Sequence, residues 1–241
     1  MKKYLYIFII LPLTFTMNSC FLTSVNCLDG SGEILREERK VADFDRLSID
    51  GGLDLYLKQG DSTLLQIEVD DNLAKYIHTE VVDRELQITE TKSLCSKIKR
   101  AYLTIPNLKE LTINGAGKII ANSKISFNYL QIEGNGASDV YFEELNCPNL
   151  MVDLSGSGDA RINKGTGGNL SIRISGAGDV KFKDFAVDSA KVEISGAGDV
   201  LLQSNTFLLV KIFGAGDVKY KGSPKLVKKI VGAGAVNKID N

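Results

Sequence analysis

Tryptophan is absent from this sequence, and histidine occurs once, as His78. Neither a histidine-rich metal centre nor a histidine-based catalytic triad is therefore expected in the bulk of the chain. Prolines number four among 241 residues, and 24% charged against 44% hydrophobic residues describes a chain that buries a core rather than staying disordered. Charge of one sign is lacking too: the formal net charge is -1, without the strongly basic balance of a nucleic-acid binder. Cysteine is sparse. Beyond Cys20, the residues Cys27, Cys95 and Cys147 match no metal-site spacing and allow at most one disulfide, whose pairing stays open. Cys147 lies in the repeat region described below and reads as a small buried hydrophobe.

No apolar run at the N-terminus is long enough to span a bilayer. The stretch from Tyr4 to Thr16 is 13 residues, against the roughly 20 that a spanning helix needs. It follows Met1-Lys2-Lys3 and runs into Met17-Asn18-Ser19-Cys20, the layout of a secretory signal. The ending resembles a bacterial lipoprotein signal, in which Cys20 receives the lipid and becomes the first mature residue. Residues 1–19 are then the signal peptide and residues 20–40 a lipidated tether and N-terminal cap. The expected address is the bacterial cell envelope, lipid-anchored in the outer membrane, with the side of the membrane left open. Several acyl chains on one cysteine make a stable anchor.

What the chain has in abundance is glycine, 23 residues, and its placement is periodic. Gly-x-Gly occurs as Gly115/Gly117, Gly134/Gly136, Gly156/Gly158, Gly176/Gly178, Gly196/Gly198, Gly214/Gly216 and Gly232/Gly234. Successive first glycines are 19, 22, 20, 20, 18 and 18 residues apart. Seven motifs at near-constant spacing predict a solenoid with one coil per repeat. Before each motif apolar residues alternate with polar ones, as in Ile172-Arg173-Ile174 and Val192-Glu193-Ile194. After it a second alternation begins, as in Val180-Lys181-Phe182 with Lys181 outward; Tyr141, Arg161 and Lys219 hold the same place. A third apolar patch (Leu145, Phe185 with Val187, Phe207) closes several repeats. Three short strands per 18–22 residues, with glycine corners, predict an all-β, right-handed parallel β-helix. Both glycines of every motif are expected at corners, for positive φ and for close approach of stacked backbones. No long helix follows any of them, so a nucleotide-binding loop is not expected.

Directly after the motifs stand Asp159, Asp179, Asp199 and Asp217, with Asp139 offset by one residue. Stacked, they form a column of like charges, which must be wet, hydrogen-bonded or neutralised. The plain reading is that each carboxylate caps its own corner; the sharper one is a row of weak Ca²⁺ sites, for which one carboxylate per coil is a thin ligand supply. No metal or cofactor is assigned. A catalytic carboxylate pair would break the repeat, and no singular cluster does; Tyr129 and Tyr141 fit a sugar-binding face or ordinary strand positions equally well.

Residues 41–241 read as a single β-helix domain, with degenerate coils over 41–107 and regular ones over 108–241. In the degenerate part Leu73, Tyr76 and Ile77 suit one helical turn, and residues 90–100 read as a solvated loop. Here the segments Asp43 to Asp61 and Glu80 to Ile88, followed by the recurring Ile-Ser-Gly-Ala-Gly-Asp-Val, resemble the family described as putative auto-transporter adhesin, head GIN domain. The likeness runs from about Phe44 to Val236, with Phe44, Gly51, Gly60, Asp61, Leu86 and the Gly-Ala-Gly-Asp corners at the recurring positions. It implies a right-handed parallel β-helix and supplies no catalytic residues. The expected function is a non-catalytic binding or adhesion module, with an envelope glycan or protein as partner. The alternatives are a structural or stress-related envelope scaffold and, third, a polysaccharide-active enzyme.

Overall fold

Equivalent residues of successive repeats lie side by side in parallel strands, and the computed structural model describes this for residues 26–240. The signal peptide and Cys20 lie outside the described residues. In chain order the strands are β1 Leu28–Asp29, β2 Ile34–Arg39, β3 Arg46–Gly51, β4 Asp54–Gln59 and β5 Leu64–Asp70. A 3₁₀ turn at Ala74–Tyr76 precedes β6 Ile77–Val82, β7 Glu85–Glu90, β8 Leu94–Cys95 and β9 Arg100–Ile105. Then follow β10 Glu110–Gly115, β11 Lys118–Ser126, β12 Tyr129–Gly136, β13 Asp139–Leu154, β14 Ala160–Ile174 and β15 Val180–Ile194. The chain closes with β16 Val200–Ile212, β17 Val218–Lys221, β18 Lys225–Ile230 and β19 Val236–Lys238.

The fold is a right-handed parallel β-helix. Between β13 and β14 the pairing skips Glu143 and Pro148, so each long strand bends twice and presents three flat segments. The coil shortens from 20 to 18 residues at β16, where the register against β15 slips between Lys181 and Ser189. Inward residues of all segments meet in one core along the axis, with Phe142, Phe182 and Phe185 fully buried. Phe182 and Phe185 pack edge to face at 5.7 Å. Phe207 departs from its expected inward place. It pairs with Ser189 and Lys225 on the outer surface, while Leu208 takes the core position.

The first coils are not stacked in chain order. β3 lies between β7 and β10, and β4 between β9 and β11, all in parallel. The chain therefore lays down β3–β4, builds the layer β7–β9 outside it, and crosses back to place β10 on the other side. Antiparallel strands close this end: β6 covers the free edge of β7, β5 that of β9, and β2 that of β5. A solenoid's terminal edge is otherwise open to pairing with another chain, which is the physical reason a cap interrupts the repeat here. The β6–β7 hairpin turns on Asp83 and Arg84 with φ of 49° and 64°, a type I′ geometry built without glycine.

Residues 90–100 are not simply a solvated loop. Cys95 forms a disulfide with Cys27, joining β1 to β8 across the cap. Lys99 lies 3.0 Å from both carboxylate oxygens of Glu90, whose side chain is buried and accepts the Gly52 N–H at 3.0 Å. A buried carboxylate needs that partner.

Candidate functional site

The corners explain the glycines. In the coils from Gly156 onward, the middle residue of each motif donates its N–H to the first glycine of the coil before: Ala177 to Gly156 O (2.9 Å), Ala197 to Gly176 O (3.0 Å) and Ala215 to Gly196 O (3.0 Å). That bond draws the carbonyl oxygen so close that a Cβ on Gly176, Gly196 or Gly214 would overlap it. The expectation of positive φ at the corners needs correcting. Positive φ occurs in only three of the motifs, at Gly115, Gly136 and Gly232. The second glycines Gly117, Gly158, Gly178, Gly198, Gly216 and Gly234 all lack it, so no left-handed backbone requires glycine there. Crowding does. A Cβ on Gly117 would overlap the Leu53 carbonyl oxygen, and one on Gly158 that of Ser138. From there the second glycines stack on one another: Gly178 meets the carbonyl of Gly158, Gly198 that of Gly178, Gly216 that of Gly198 and Gly234 that of Gly216. Close approach is thus the governing reason at both glycines of a corner.

The register also moves one corner. Gly136 pairs with Gly115 and lies beneath Gly156, so the corner is Gly136-Ala137-Ser138 and Gly134 belongs to β12. Gly134 leaves room instead for the inward Ser138 side chain, whose buried Oγ has no hydrogen-bond partner.

The aspartates form a ladder, but each caps the next coil rather than its own. Asp139 Oδ1 accepts the Asp159 N–H (3.2 Å), Asp159 that of Asp179 (2.9 Å), Asp179 that of Asp199 (2.9 Å) and Asp199 that of Asp217 (2.8 Å). Asp217 accepts from Ala235 N at 2.8 Å, and Asp54 joins by accepting from Lys118 N at 3.1 Å. Asp54 was legible only through alignment of Gly51-Gly52-Leu53-Asp54 with a regular corner. The second oxygens meet cations two residues on: Asp159 with Arg161 at 2.7 Å and Asp179 with Lys181 at 2.8 Å. Lys181, then the Asp199 N–H, holds the Asp179 carboxyl below its ordinary pKa. The ladder joins coils, and at Asp139, Asp159 and Asp179 a neighbouring cation meets its charge.

Reactive groups are poorly placed for chemistry. Burial pushes the Cys147 thiol up to about 11, and its Sγ lies 3.1 Å from the Asn149 carbonyl oxygen. His78 is exposed, with Glu80 3.7 Å away. Among the described residues, Cys27, Asp29 and Cys95 cluster at metal-ligand distances, but both sulfurs are bonded to each other.

The outer face of β12–β16 carries a feature the sequence reading missed. Tyr129, Asn149, Asn169, Ser189 and Phe207 form one outward column, and Gln131, Met151, Ser171, Lys191 and Leu209 the next. The small outward residues Ser171 and Ser189, with the buried Ala190 beneath, leave an open trough of about 440 Å³. Tyr129 and Met151, both 40% exposed, flank one end and Phe207 with Leu209 the other. Asn169 Nδ2 donates to Asn149 Oδ1 at 3.1 Å along its edge. The available signal was apolar residues at outward positions that most coils fill with polar ones. Tyr141 stands on a different outward column and donates its hydroxyl to Glu143.

Solved structures share this architecture. A putative adhesin from Bacteroides fragilis superposes with a TM-score of 0.84 at 24% identity, covering 88% of this chain and 100% of that one. A putative adhesin from Parabacteroides merdae gives 0.72 at 22% identity, over 88% of this chain and 99% of its own. A putative lipid binding protein from Parabacteroides distasonis gives 0.68 at 25% identity, over 88% and 99%. No curated protein matches. The family model described as putative auto-transporter adhesin, head GIN domain, matches residues 43–224, and the chain belongs to that family.

Proposed function

We propose that this protein is a non-catalytic binding module of the bacterial cell envelope, anchored through a lipid on Cys20, that holds an extended envelope ligand in the trough of β12–β16. The trough carries this reading. Its ends, at Tyr129 and Phe207, are four coil steps apart, about 19 Å at the usual strand spacing. Aromatic and aliphatic side chains flank a floor of small ones, with amide and hydroxyl groups to orient an occupant. The side chains stand on a sheet hydrogen-bonded on both sides, so little ordering is needed on binding.

The non-catalytic part rests on how the reactive groups are engaged: a buried thiol, an exposed lone histidine and carboxylates bound to the next coil. Two measurements test the reading. Mass spectrometry of the mature protein should find an acylated Cys20 at the N-terminus; an unmodified Cys20 behind another start removes the anchor. The detergent-solubilised full chain should retain an envelope glycan, protein or lipid fraction, and Ser171→Trp, which fills the trough from its solvent side, should abolish retention. Undiminished retention by that variant removes the trough from the reading, and release of shortened chains from a polysaccharide replaces it with an enzyme. Lipid is included because the lining is mostly apolar and one relative is described as lipid binding.

A further inference from the structure

We infer that a second, separate recess, beside Tyr56 and Ile120, is a saccharide-binding site that takes a pyranose ring on the Tyr56 face turned away from Tyr102 and its hydroxyl groups on Thr104, Asn122 and Ser123. The argument begins with register. Tyr102 and Tyr56 are direct partners on parallel β9 and β4, and their rings stack at 5.1 Å with an interplanar angle of 18°. The pair is held by its neighbours: the Arg36 guanidinium lies 4.1 Å over the Tyr102 ring, that of Arg100 5.9 Å from the Tyr56 ring centre, and the Tyr102 hydroxyl donates to Glu68 at 2.8 Å. Such a platform is fixed before any ligand arrives, which lowers the ordering cost of binding.

The next place in the column is Ile120, and beside it the sheet opens. β11 pairs with β4 only at Ile119–Leu55 and Ile120–Tyr56, and on its other side it slips register against β13 between Ala121 and Lys124. The bulge exposes Asn122 and Ser123, and the Gln59 side chain bridges the gap by bonding Ser126 N and O, both at 2.8 Å. A recess of about 420 Å³ results, with tyrosine and isoleucine on its apolar side and Lys58, Thr104, Asn122 and Ser123 as its polar groups. Bulges that re-aim side chains beside a site are a recurrent device.

Ligand chemistry follows from what these groups offer. An amide and two hydroxyls both donate and accept, which matches vicinal sugar hydroxyls, while C–H faces of a pyranose suit aromatic rings. An acyl chain would leave the polar groups dry and unpaired. A peptide adding as a strand needs a free sheet edge, and here β4 is flanked by β9 and β11. A nucleotide phosphate calls for converging cations, whereas Lys58 is the single cation lining the recess. One ring gives weak affinity, which many copies on one membrane would raise by avidity.

The test uses the detergent-solubilised full chain and a panel of short neutral oligosaccharides: cello-, xylo-, malto-, manno- and chito-oligosaccharides. In the parent and the alanine variants, which lack tryptophan, intrinsic fluorescence reports on the tyrosines directly, and calorimetry reads the tryptophan variants. At least one sugar should bind saturably, with calorimetry agreeing. Tyr56→Ala should weaken it by about tenfold or more. Because that change disturbs the stacked pair, Asn122→Ala and Ser123→Trp on the exposed bulge provide independent tests with the same expected loss. Ser171→Trp in the trough should leave sugar affinity unchanged, so the recess and the trough stand or fall separately. The inference is overturned if no panel member binds saturably, if both bulge variants bind as the parent does, or if Ser171→Trp alone removes binding.

Discussion

From β13 to β18 each coil rests on the coil before it in sequence, whereas the first coil the chain lays down, β3–β4, is second in space. The two regions solve different problems. In the regular one, each corner repeats one arrangement: an N–H to the previous glycine carbonyl, a carboxylate to the next N–H, and no side chain where backbones meet. At the N-terminal end there is no previous coil to receive those bonds, so antiparallel β2, β5 and β6 and the disulfide take over. The opposite end is blunted differently. Lys225, Lys228 and Lys229 line the last long strand, β18, where charge opposes pairing with another chain.

The largest expected effect sharpens this contrast through glycine. Gly176→Val puts a β-branched side chain onto the Gly156 carbonyl, and denaturation should show a loss of about 3 kcal/mol or more. Gly32, in the cap, has φ of 91° with open space around it, so Gly32→Val should cost only about 1–2 kcal/mol of conformational strain. Equal losses would erase the distinction between the regions. Next comes the disulfide. Replacing Cys27 and Cys95 together by serine should cost about 2–4 kcal/mol, and hydrogen exchange should show the loss in β1, β2 and β8 while β14–β16 keep their protection.

Most of the regular region was legible because a solenoid writes its period into every coil. The alternation around Ile172 and Ile174 names the inward face, and both residues are buried. The corner at Ser138 was not legible. Gly134-Asn135-Gly136 satisfies the motif, yet the spatial corner lies two residues later, because Gly136, not Gly134, stacks on the Gly115 backbone and under Gly156. Nor could spacing say which physical need each glycine meets: Gly178 and Gly198 stack carbonyl on backbone without positive φ, a distinction that only the coil-to-coil distance reveals. The order of the first coils was hidden for a different reason: β3, β7 and β10 have similar alternation, and nothing local says which stacks on which. The disulfide pairing and the tyrosine recess depend on that stacking and share its invisibility, whereas the trough lies on coils stacked in chain order and was signalled only by apolar residues at outward positions.

Acid should test both regions at once. The Asp179 carboxyl is held below its ordinary range by Lys181 and the Asp199 N–H, and Asp45 in the N-terminal half by Lys109 and Arg84. A carboxyl depressed in the fold contributes stability above its unfolded pKa of about 3.9, and loses it as pH falls through the lower folded value. Urea midpoints should therefore drop below about pH 4, and Asp179→Asn or Asp45→Asn should each flatten that drop; parallel acid profiles for parent and variants would contradict it. A smaller effect is expected at Ser138. Removing its orphaned hydroxyl by Ser138→Ala should raise stability by up to about 1 kcal/mol, and a loss of that size would show that the hydroxyl has a partner. Smallest of all, Asp199→Asn keeps an acceptor for the Asp217 N–H and should change stability by less than about 0.5 kcal/mol, with Ca²⁺ and EDTA without effect. A Ca²⁺-dependent rise in melting temperature that Asp199→Asn abolishes would turn the ladder into a metal site.

The central claim is that a corner is defined by backbone stacked on backbone and not by the Gly-x-Gly motif itself. Gly196 and Gly134 each open such a motif. A methyl group on Gly196 would overlap the Gly176 carbonyl oxygen, whereas on Gly134 it would meet only the Leu154 side chain at 3.0 Å and Ser138 Oγ at 3.4 Å. Equilibrium denaturation of Gly196→Ala and Gly134→Ala, compared with the parent, tests the claim most directly. The account predicts a loss of about 3 kcal/mol or more at Gly196 and less than about 1.5 kcal/mol at Gly134. Equal losses at the two sites, or a Gly196→Ala protein as stable as the parent, would contradict it.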